Sequence, residues 1–254
     1  MSLNLAGSRV LITGATSGIG RETALLLSKM GCVVAINGRR ANRLEELISE
    51  IDSGENKAFA FQGDLADPDV AKKVVDSAAE TMGGIDICIN SAGLLLTGPF
   101  AGVPRDEIDR MIEINFRGVL SVSHAVIPHL VDAASKNGNL IADLVNISSA
   151  AGRRVVKNSA VYNATKWAVI GFSETLRMEL ADKRVRVGLI EPGSVNTEIQ
   201  NNIRPEIRAI PRPEFAGYTK LEAIDIAEAI LFMVTRDSRA AVNELLIRPS
   251  EQIT

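Results

Sequence analysis

Apolar runs of strand length alternate with segments of helical period along the whole chain, and that alternation leaves few folds open. Residues 9–12, 32–37, 58–62, 85–90, 140–148, 185–190 and 244–247 read as strands. Between them, 20–30, 43–51, the stretch opened by Asp67-Pro68, 105–134, 159–180 and 224–235 carry apolar residues at helical spacing. Asp67 fits an N-cap with proline at the first helical position, and Pro128 predicts a kink or break in the longest helical stretch. Strict alternation of this kind predicts an α/β fold, a doubly wound parallel sheet of seven strands with helices on both faces. No low-complexity linker or internal repeat divides residues 1–254, which read as a single domain. The exception to the pattern is 198–220, polar and without period, with Pro205, Pro211 and Pro213. A loop this long in a compact domain is often functional. Because it follows a strand end that should face a ligand, 198–220 is expected to be a lid, the alternative being a variable surface excursion.

The first strand passes into the first helix through Thr13-Gly14-Ala15-Thr16-Ser17-Gly18-Ile19-Gly20. Glycines there allow a tight turn and a close backbone approach to a pyrophosphate, and the helix N-terminus offers free N–H groups. The spacing is Gly-x-x-x-Gly-x-Gly, not the Gly-x-Gly-x-x-Gly of the usual dinucleotide fingerprint. Such glycines can make a turn and nothing more; their position between strand and helix argues for a dinucleotide. The second strand ends in Ile36-Asn37-Gly38-Arg39-Arg40. NAD-binding proteins commonly place a carboxylate at this point to accept from the ribose 2′-OH. Gly38 stands there instead, with nothing to repel a 2′-phosphate, and the Arg39 guanidinium can grip a phosphate and stack on adenine. NADP is therefore expected over NAD; without a nucleotide, the two arginines would be a solvated pair.

Tyr162 and Lys166 stand four residues apart in a helical stretch, so they share a face. A free tyrosine has a pKa near ~10, and a neighbouring ammonium favours its phenolate. Ser149, thirteen residues before Tyr162, adds a hydroxyl able to steady a carbonyl. Tyr-x-x-x-Lys alone fits a surface helix with one aromatic and one solvated lysine.

Taken together, Thr13–Gly20, Asp64-Leu65, Asn90-Ser91-Ala92-Gly93, Asn115, Ser149 with Tyr162 and Lys166, and Pro192-Gly193-Ser194-Val195-Asn196-Thr197 resemble the short-chain dehydrogenase/reductase family. The resemblance runs from about Arg9 to Arg248. It implies the sheet order 3-2-1-4-5-6-7 and direct hydride transfer between a nicotinamide and a carbonyl or alcohol carbon. In that pattern Tyr162 is the acid/base, Ser149 steadies the same oxygen, Lys166 tunes Tyr162 and bonds the nicotinamide ribose, and Asn115 holds a water leading from Lys166 to solvent. Ser149 rather than Ser148 takes the serine role because the family places it thirteen residues before the tyrosine. Gly14, Thr16, Ser17, Gly18, Ile19, Gly20 and Arg39 form the phosphate end of the cofactor site. Asp64 accepts from the adenine amino group, with Leu65 beside it, and Asn90, Ala92 and Gly93 pass the adenosine side. Pro192, Gly193, Val195 and Thr197 hold the nicotinamide end. The chain departs mildly at Ser91, Asn163 and Thr165. Ser17 stands where some NADP-dependent members carry a basic residue, which leaves Arg39 as the main NADP determinant. The resemblance also implies a homotetramer built through the helices of Asn115 and Tyr162.

Composition narrows the remaining classes. Net charge is −3 without a basic block and only 4% of residues are aromatic, which argues against nucleic acid. No apolar run reaches the roughly 18 residues of a membrane span, and the first residues lack the regions of a signal peptide, so a soluble cytoplasmic protein is expected. Two separated cysteines and two histidines suggest buried thiols and no metal site. Leu94-Leu95-Leu96 and Ala150-Ala151-Gly152 should give the substrate pocket apolar, small-residue walls. Arg153 and Arg154 are either an anion site or a solvated pair. The expected substrate is a small carbonyl or alcohol compound; a noncatalytic nucleotide sensor on the same fold is the rival from another class.

Overall fold

The computed structural model describes residues 3–52, 57–136, 141–212 and 217–253. Seven strands form one parallel sheet: β1 (Arg9–Ile12), β2 (Val33–Gly38), β3 (Ala58–Gln62), β4 (Ile87–Asn90), β5 (Ala142–Ile147), β6 (Val185–Pro192) and β9 (Glu244–Ile247). Their order, β3-β2-β1-β4-β5-β6-β9, is the expected doubly wound one. Leu140, placed by sequence in the fifth strand, lies outside the described residues, as does Pro213 of the 198–220 segment.

The helices are α1 (Gly18–Lys29), α2 (Ala41–Ile51), α3 (Pro68–Met82), α4 (Arg105–Ile112), α5 (Gly118–Lys136), α6 (Ala160–Leu180), α7 (Pro205–Arg208) and α8 (Ala223–Val234). Alternate strand residues point to opposite faces. Val10 and Ile12 pack with α1, α2 and α8 through Leu27, Leu47 and Ile230, while Leu11 packs with α3 and α5 through Val75 and Val126. Asp67 caps α3, accepting from the backbone N–H of Asp69 at 2.9 Å and of Val70 at 3.3 Å. Pro128 neither breaks nor ends α5. Its ring costs one backbone bond, and burial of Val126 and Leu130 against the sheet holds the helix through it. The interruption lies earlier, where Glu113–Arg117 winds into a π turn between α4 and α5.

A chain of buried amides and hydroxyls crosses the sheet. Asn90 Nδ2 donates to Asn146 Oδ1 at 2.8 Å and to Ser123 Oγ at 3.2 Å, and Asn146 Nδ2 donates to Ser173 Oγ at 2.8 Å. It locks β4 and β5 to α5 and α6. All the loops of interest leave the C-terminal ends of strands. The 198–220 segment is pinched at its base by two short parallel strands, β7 (Val195–Asn196) and β8 (Leu221–Glu222), which periodicity does not reveal. Its first part is a 3-10 turn, Glu198–Asn202, followed by α7.

Candidate active site

The loops after β1, β2, β4, β5 and β6 border one cleft of about 860 Å³. At Gly14 (φ +65°), an added Cβ would stand 2.6 Å from Ala92 Cα, so the first and fourth loops meet backbone to backbone. Thr13 Oγ1 ties them, accepting from the N–H groups of Ser91 at 3.0 Å and Ala92 at 3.2 Å. Gly20 faces the turn and not the cleft: a Cβ there would meet the Gly14 carbonyl oxygen at 2.7 Å. Ser17, the N-cap of α1, is extended and its side chain makes no cap bond. The first-turn N–H groups therefore stand uncapped behind a wall of Thr16, Ser17, Gly18 and Ile19, an arrangement suited to an anion.

At the end of β2 a Cβ on Gly38 would lie 2.4 Å from Thr16 Cγ2, so a side chain there would have to displace that of Thr16. The Arg39 side chain is 56% exposed, its Nη1 3.8 Å from Asp64 Oδ2. Arg40, to which the sequence alone gives no role of its own, lies across the glycine-rich turn. It donates to Thr16 Oγ1 at 2.7 Å and Ser17 Oγ at 2.9 Å. Glu198 draws Arg40 at 3.2 Å and Arg43 at 2.7 Å. Burial pushes the Asp64 carboxyl up, but hydrogen bonds from Arg110 and the Ala66 N–H, with the charges of Arg110 and Arg39, outweigh it and hold it below its ordinary range. Leu65, Ala92 and Gly93 also line the cleft, as do Pro192, Gly193, Val195 and Thr197, the last beside Gly18. The Asn90 side chain does not: its amide is spent across the sheet.

Ser149, Tyr162 and Lys166 come together on the wall beyond the glycine-rich turn. Burial raises the Tyr162 pKa, and a hydrogen bond with Ser149 draws it partly back. Ser149 Oγ also accepts from the Ala151 N–H at 3.1 Å. Ser148 is directed elsewhere, its hydroxyl donating to the Lys166 carbonyl at 3.0 Å. Lys166 Nζ lies 5.8 Å from the Tyr162 ring centroid and donates to the Ile147 carbonyl at 2.8 Å. Burial lowers its pKa to about 8. Helical spacing thus brings Lys166 beside the Tyr162 ring, but burial outweighs the Ser149 hydrogen bond and holds the Tyr162 pKa above its ordinary value.

Asn115 is 0% exposed in the π turn, below the cleft wall. Its Oδ1 accepts from the Leu94 N–H at 2.7 Å, and its Nδ2 donates to the Leu94 carbonyl at 2.8 Å and to Thr165 Oγ1 at 3.3 Å. The side chain therefore clamps the loop after β4, which leaves any water-holding role to its backbone. Between Asn115 and Lys166 lies Gly93, where a Cβ would stand 3.7 Å from Asn115 Oδ1 and 3.9 Å from Lys166 Nζ.

On the far side, Leu94, Leu95, Ala150 and Ala151 line the cleft. The Arg153-Arg154 pair divides. Arg153 is taken by Glu191 at 2.7 Å and by Glu244, whereas Arg154 lines the cleft. Arg208, Arg212 and Lys220, from the aperiodic segment, line it too, and no local pattern marked them. Burial pushes both thiols, Cys32 and Cys88, up to about 12, which keeps them unreactive. Among the described residues no group of side chains could hold a metal ion, and no helix is long and apolar enough to cross a membrane.

Residues 8–208 match the family model described as short chain dehydrogenase. An uncharacterised oxidoreductase of Staphylococcus aureus strain USA300 is 35% identical over 239 residues, covering 94% of this chain and 96% of the relative. Among solved structures, the closed form of a serine dehydrogenase complexed with NADP+ is 31% identical with a TM-score of 0.87, covering 96% of each chain. A 3-ketoacyl-(acyl-carrier-protein) reductase of Brucella melitensis complexed with NADH is 28% identical with a TM-score of 0.86, covering 98% of this chain and all of the other.

Proposed function

The chain belongs to the short-chain dehydrogenase/reductase family of oxidoreductases, and on that premise we propose that it transfers a hydride between NADP(H) and the carbon of a carbonyl or alcohol, with Tyr162 as acid and base. The observation that carries the reading is the meeting of Ser149, Tyr162 and Lys166 on one wall of the cleft that the glycine-rich turn opens. A nicotinamide nucleotide, when bound, supplies or takes up the hydride. The chain has the features such a group needs: the side-chain-free approach of Gly14 to Ala92, the uncapped start of α1, and Gly38 beside Arg39 and Arg40.

In reduction Tyr162 gives its phenolic proton to the developing alkoxide, and a phenol that burial keeps protonated is in the right state to do so. Ser149 donates to the same oxygen and stabilises its charge. Lys166 holds its ammonium between the end of β5 and the Tyr162 ring. Asn115 acts through Leu94, keeping the loop after β4 in place. In oxidation the proton returns from the alcohol to Tyr162. Asp64 and Leu65 serve the adenine end, and Pro192, Gly193, Val195 and Thr197 the nicotinamide end. The 198–220 segment, from which Arg208, Arg212 and Lys220 line the cleft, acts as the lid.

NADP is preferred because Gly38 leaves no carboxylate at the ribose and two guanidinium groups stand beside it. NAD is the second reading, favoured by Asp64 and Glu198, which already draw those arginines; a neighbour crystallised with NADH belongs to the same fold. The homotetramer remains part of the proposal, supported by exposed Ile112, Trp167 and Met178 on α4 and α6, and so does a cytoplasmic location.

Nicotinamide absorbance tests the whole reading, with NADPH or NADH and a panel of aldehydes, ketones and hydroxy acids. Turnover should favour NADPH, and Tyr162→Phe should lower kcat by about 10³ or more without weakening nucleotide binding. Better turnover with NADH would overturn the reading of Gly38 and Arg39. A protein that binds neither nucleotide is not this enzyme.

A further inference from the structure

The two ends of the cleft differ in charge. Its lining holds two carboxylates, Asp64 and Glu198, both on the side of Thr16 and Gly38 and both held by arginines. On the side beyond Tyr162 no carboxylate lines it among the described residues, and four cations do: Arg154, Arg208, Arg212 and Lys220. Among the described residues three of these meet neutral acceptors. Arg154 Nη1 donates to the Ile253 carbonyl at 2.9 Å, Arg208 Nη1 to Asn201 Oδ1 at 3.4 Å and Arg212 Nη2 to Thr97 Oγ1 at 2.5 Å. Among the described residues none of the four has an acidic partner, although Arg212 and Lys220 are half-buried.

Several other part-buried or buried cations of the chain do meet a carboxylate. Arg9 has Asp86, Arg153 has Glu191, Arg186 has Asp143 and Arg204 has Glu107. A cation drawn partly out of water without a counter-ion carries a desolvation cost that a bound anion would offset. A cleft walled by one sign of charge also concentrates ligands of the other sign.

We propose that this end of the cleft selects a substrate carrying an anionic group, a carboxylate or a phosphate ester, beside the reacting hydroxyl or carbonyl. The inference deepens the reading of the cleft as an NADP(H)-dependent oxidoreductase site and rests on it. Arg154, Arg208, Arg212 and Lys220 receive the anion while Ser149 and Tyr162 hold the reacting oxygen. For a hydroxy acid the carbinol C–H leaves as hydride to the oxidised nicotinamide nucleotide, Tyr162 takes the O–H proton after its own phenolic proton has passed to solvent, and the C–O bond becomes a carbonyl. The products are an oxo acid, the reduced nucleotide and one proton.

Matched pairs of probes separate the charge from the reaction: 3-hydroxybutyrate against its methyl ester, and glycerol 3-phosphate against glycerol. The charged member of at least one pair should have kcat/KM at least tenfold above its neutral partner, and which pair shows it tells carboxylate from phosphate. The double variant Arg154→Ala, Arg208→Ala and the single variant Arg212→Ala should each raise KM for the charged member about tenfold or more, leave kcat little changed and leave the neutral partner unaffected. Arg239→Ala, a surface control, should change neither. Neutral partners used as well as charged ones, or variants that impair both alike, would overturn the proposal and leave the oxidoreductase reading standing. If neither pair is turned over by protein that binds NADP, calorimetry with 3-hydroxybutyrate and with glycerol 3-phosphate decides. Binding lost in the double variant supports the proposal; no binding, or binding the variant does not alter, overturns it. Failure to bind any nicotinamide nucleotide overturns the oxidoreductase reading and this proposal with it.

Discussion

Lys166 shows how burial reshapes a pair that sequence spacing brings together. Its ammonium is buried beneath the cleft with one carbonyl, Ile147, as its hydrogen-bond acceptor, and desolvation takes its pKa from 10.5 to about 8. Unfolded lysine keeps the higher value. Between about pH 8 and 10.5 the unfolded chain therefore binds more protons than the folded one, and stability rises with pH through that window. Below about 8 the cost of the buried charge is present in full. Lys166→Met removes the titration along with the hydrogen bond to Ile147. The variant's unfolding free energy relative to wild type should therefore be most favourable near pH 7 to 8 and decline toward pH 10.5. Denaturant titrations of the nucleotide-free proteins across that range check it, and a constant difference would show that Lys166 keeps an ordinary pKa in the folded chain. Tyr162 moves the other way under the same burial, so the two shifts leave phenol and amine each closer to neutral.

Glu198 begins the aperiodic segment and ties it to α2 through Arg40 and Arg43. The three side chains are largely exposed and screened by water, so the tie contributes little to folding. Its consequence is electrostatic: Glu198 competes for the guanidinium of Arg40, one of those proposed to receive the 2′-phosphate. Glu198→Ala should tighten NADPH binding several-fold while changing NADH little, read as dissociation constants from fluorescence titration. An equal change for both nucleotides would mean that Arg40 does not meet the phosphate. This tie was not legible in the sequence, because Arg43 and Glu198 are distant in the chain and nothing local marks a pair. The π turn at Asn115 was equally hidden, since one turn of altered register leaves the apolar period on either side intact. The family resemblance singled out Asn115, but not the clamp its side chain makes on Leu94. The seven main strands were legible because each is an apolar-rich run of strand length between helical segments, and β1, β2, β4, β5 and β6 are buried on both faces of the sheet. β7 and β8, two residues each, are too short to leave any such run.

At the scale of the molecule, the sheet separates chemistry from support. The glycine-rich turn, the loop of Ala92 and Gly93, Ser149 and Pro192 all lie at or beyond the C-terminal ends of their strands, the end where open α/β sheets bind ligands. Near the opposite ends of β5 and β6, Asp143 and Arg186 form a buried ion pair at 2.7 Å, with side chains 9% and 8% exposed. Arg186 also donates to the carbonyls of Val234, Arg236 and Ala240, fastening the end of α8 to the sheet. Arg186→Met would strand a buried carboxylate and free three carbonyls. Breaking such a pair from one side costs roughly 3–5 kcal/mol, which for a chain of this size corresponds to a fall in the thermal midpoint on the order of 10 °C. Nucleotide affinity of the folded fraction should stay within about twofold of wild type, since no residue of the pair lines the cleft. Differential scanning fluorimetry and a nucleotide titration well below the new midpoint measure the two quantities separately. A loss of affinity matching the loss of stability would mean that the two edges of the sheet are coupled, and that the support end helps set the geometry of the cleft.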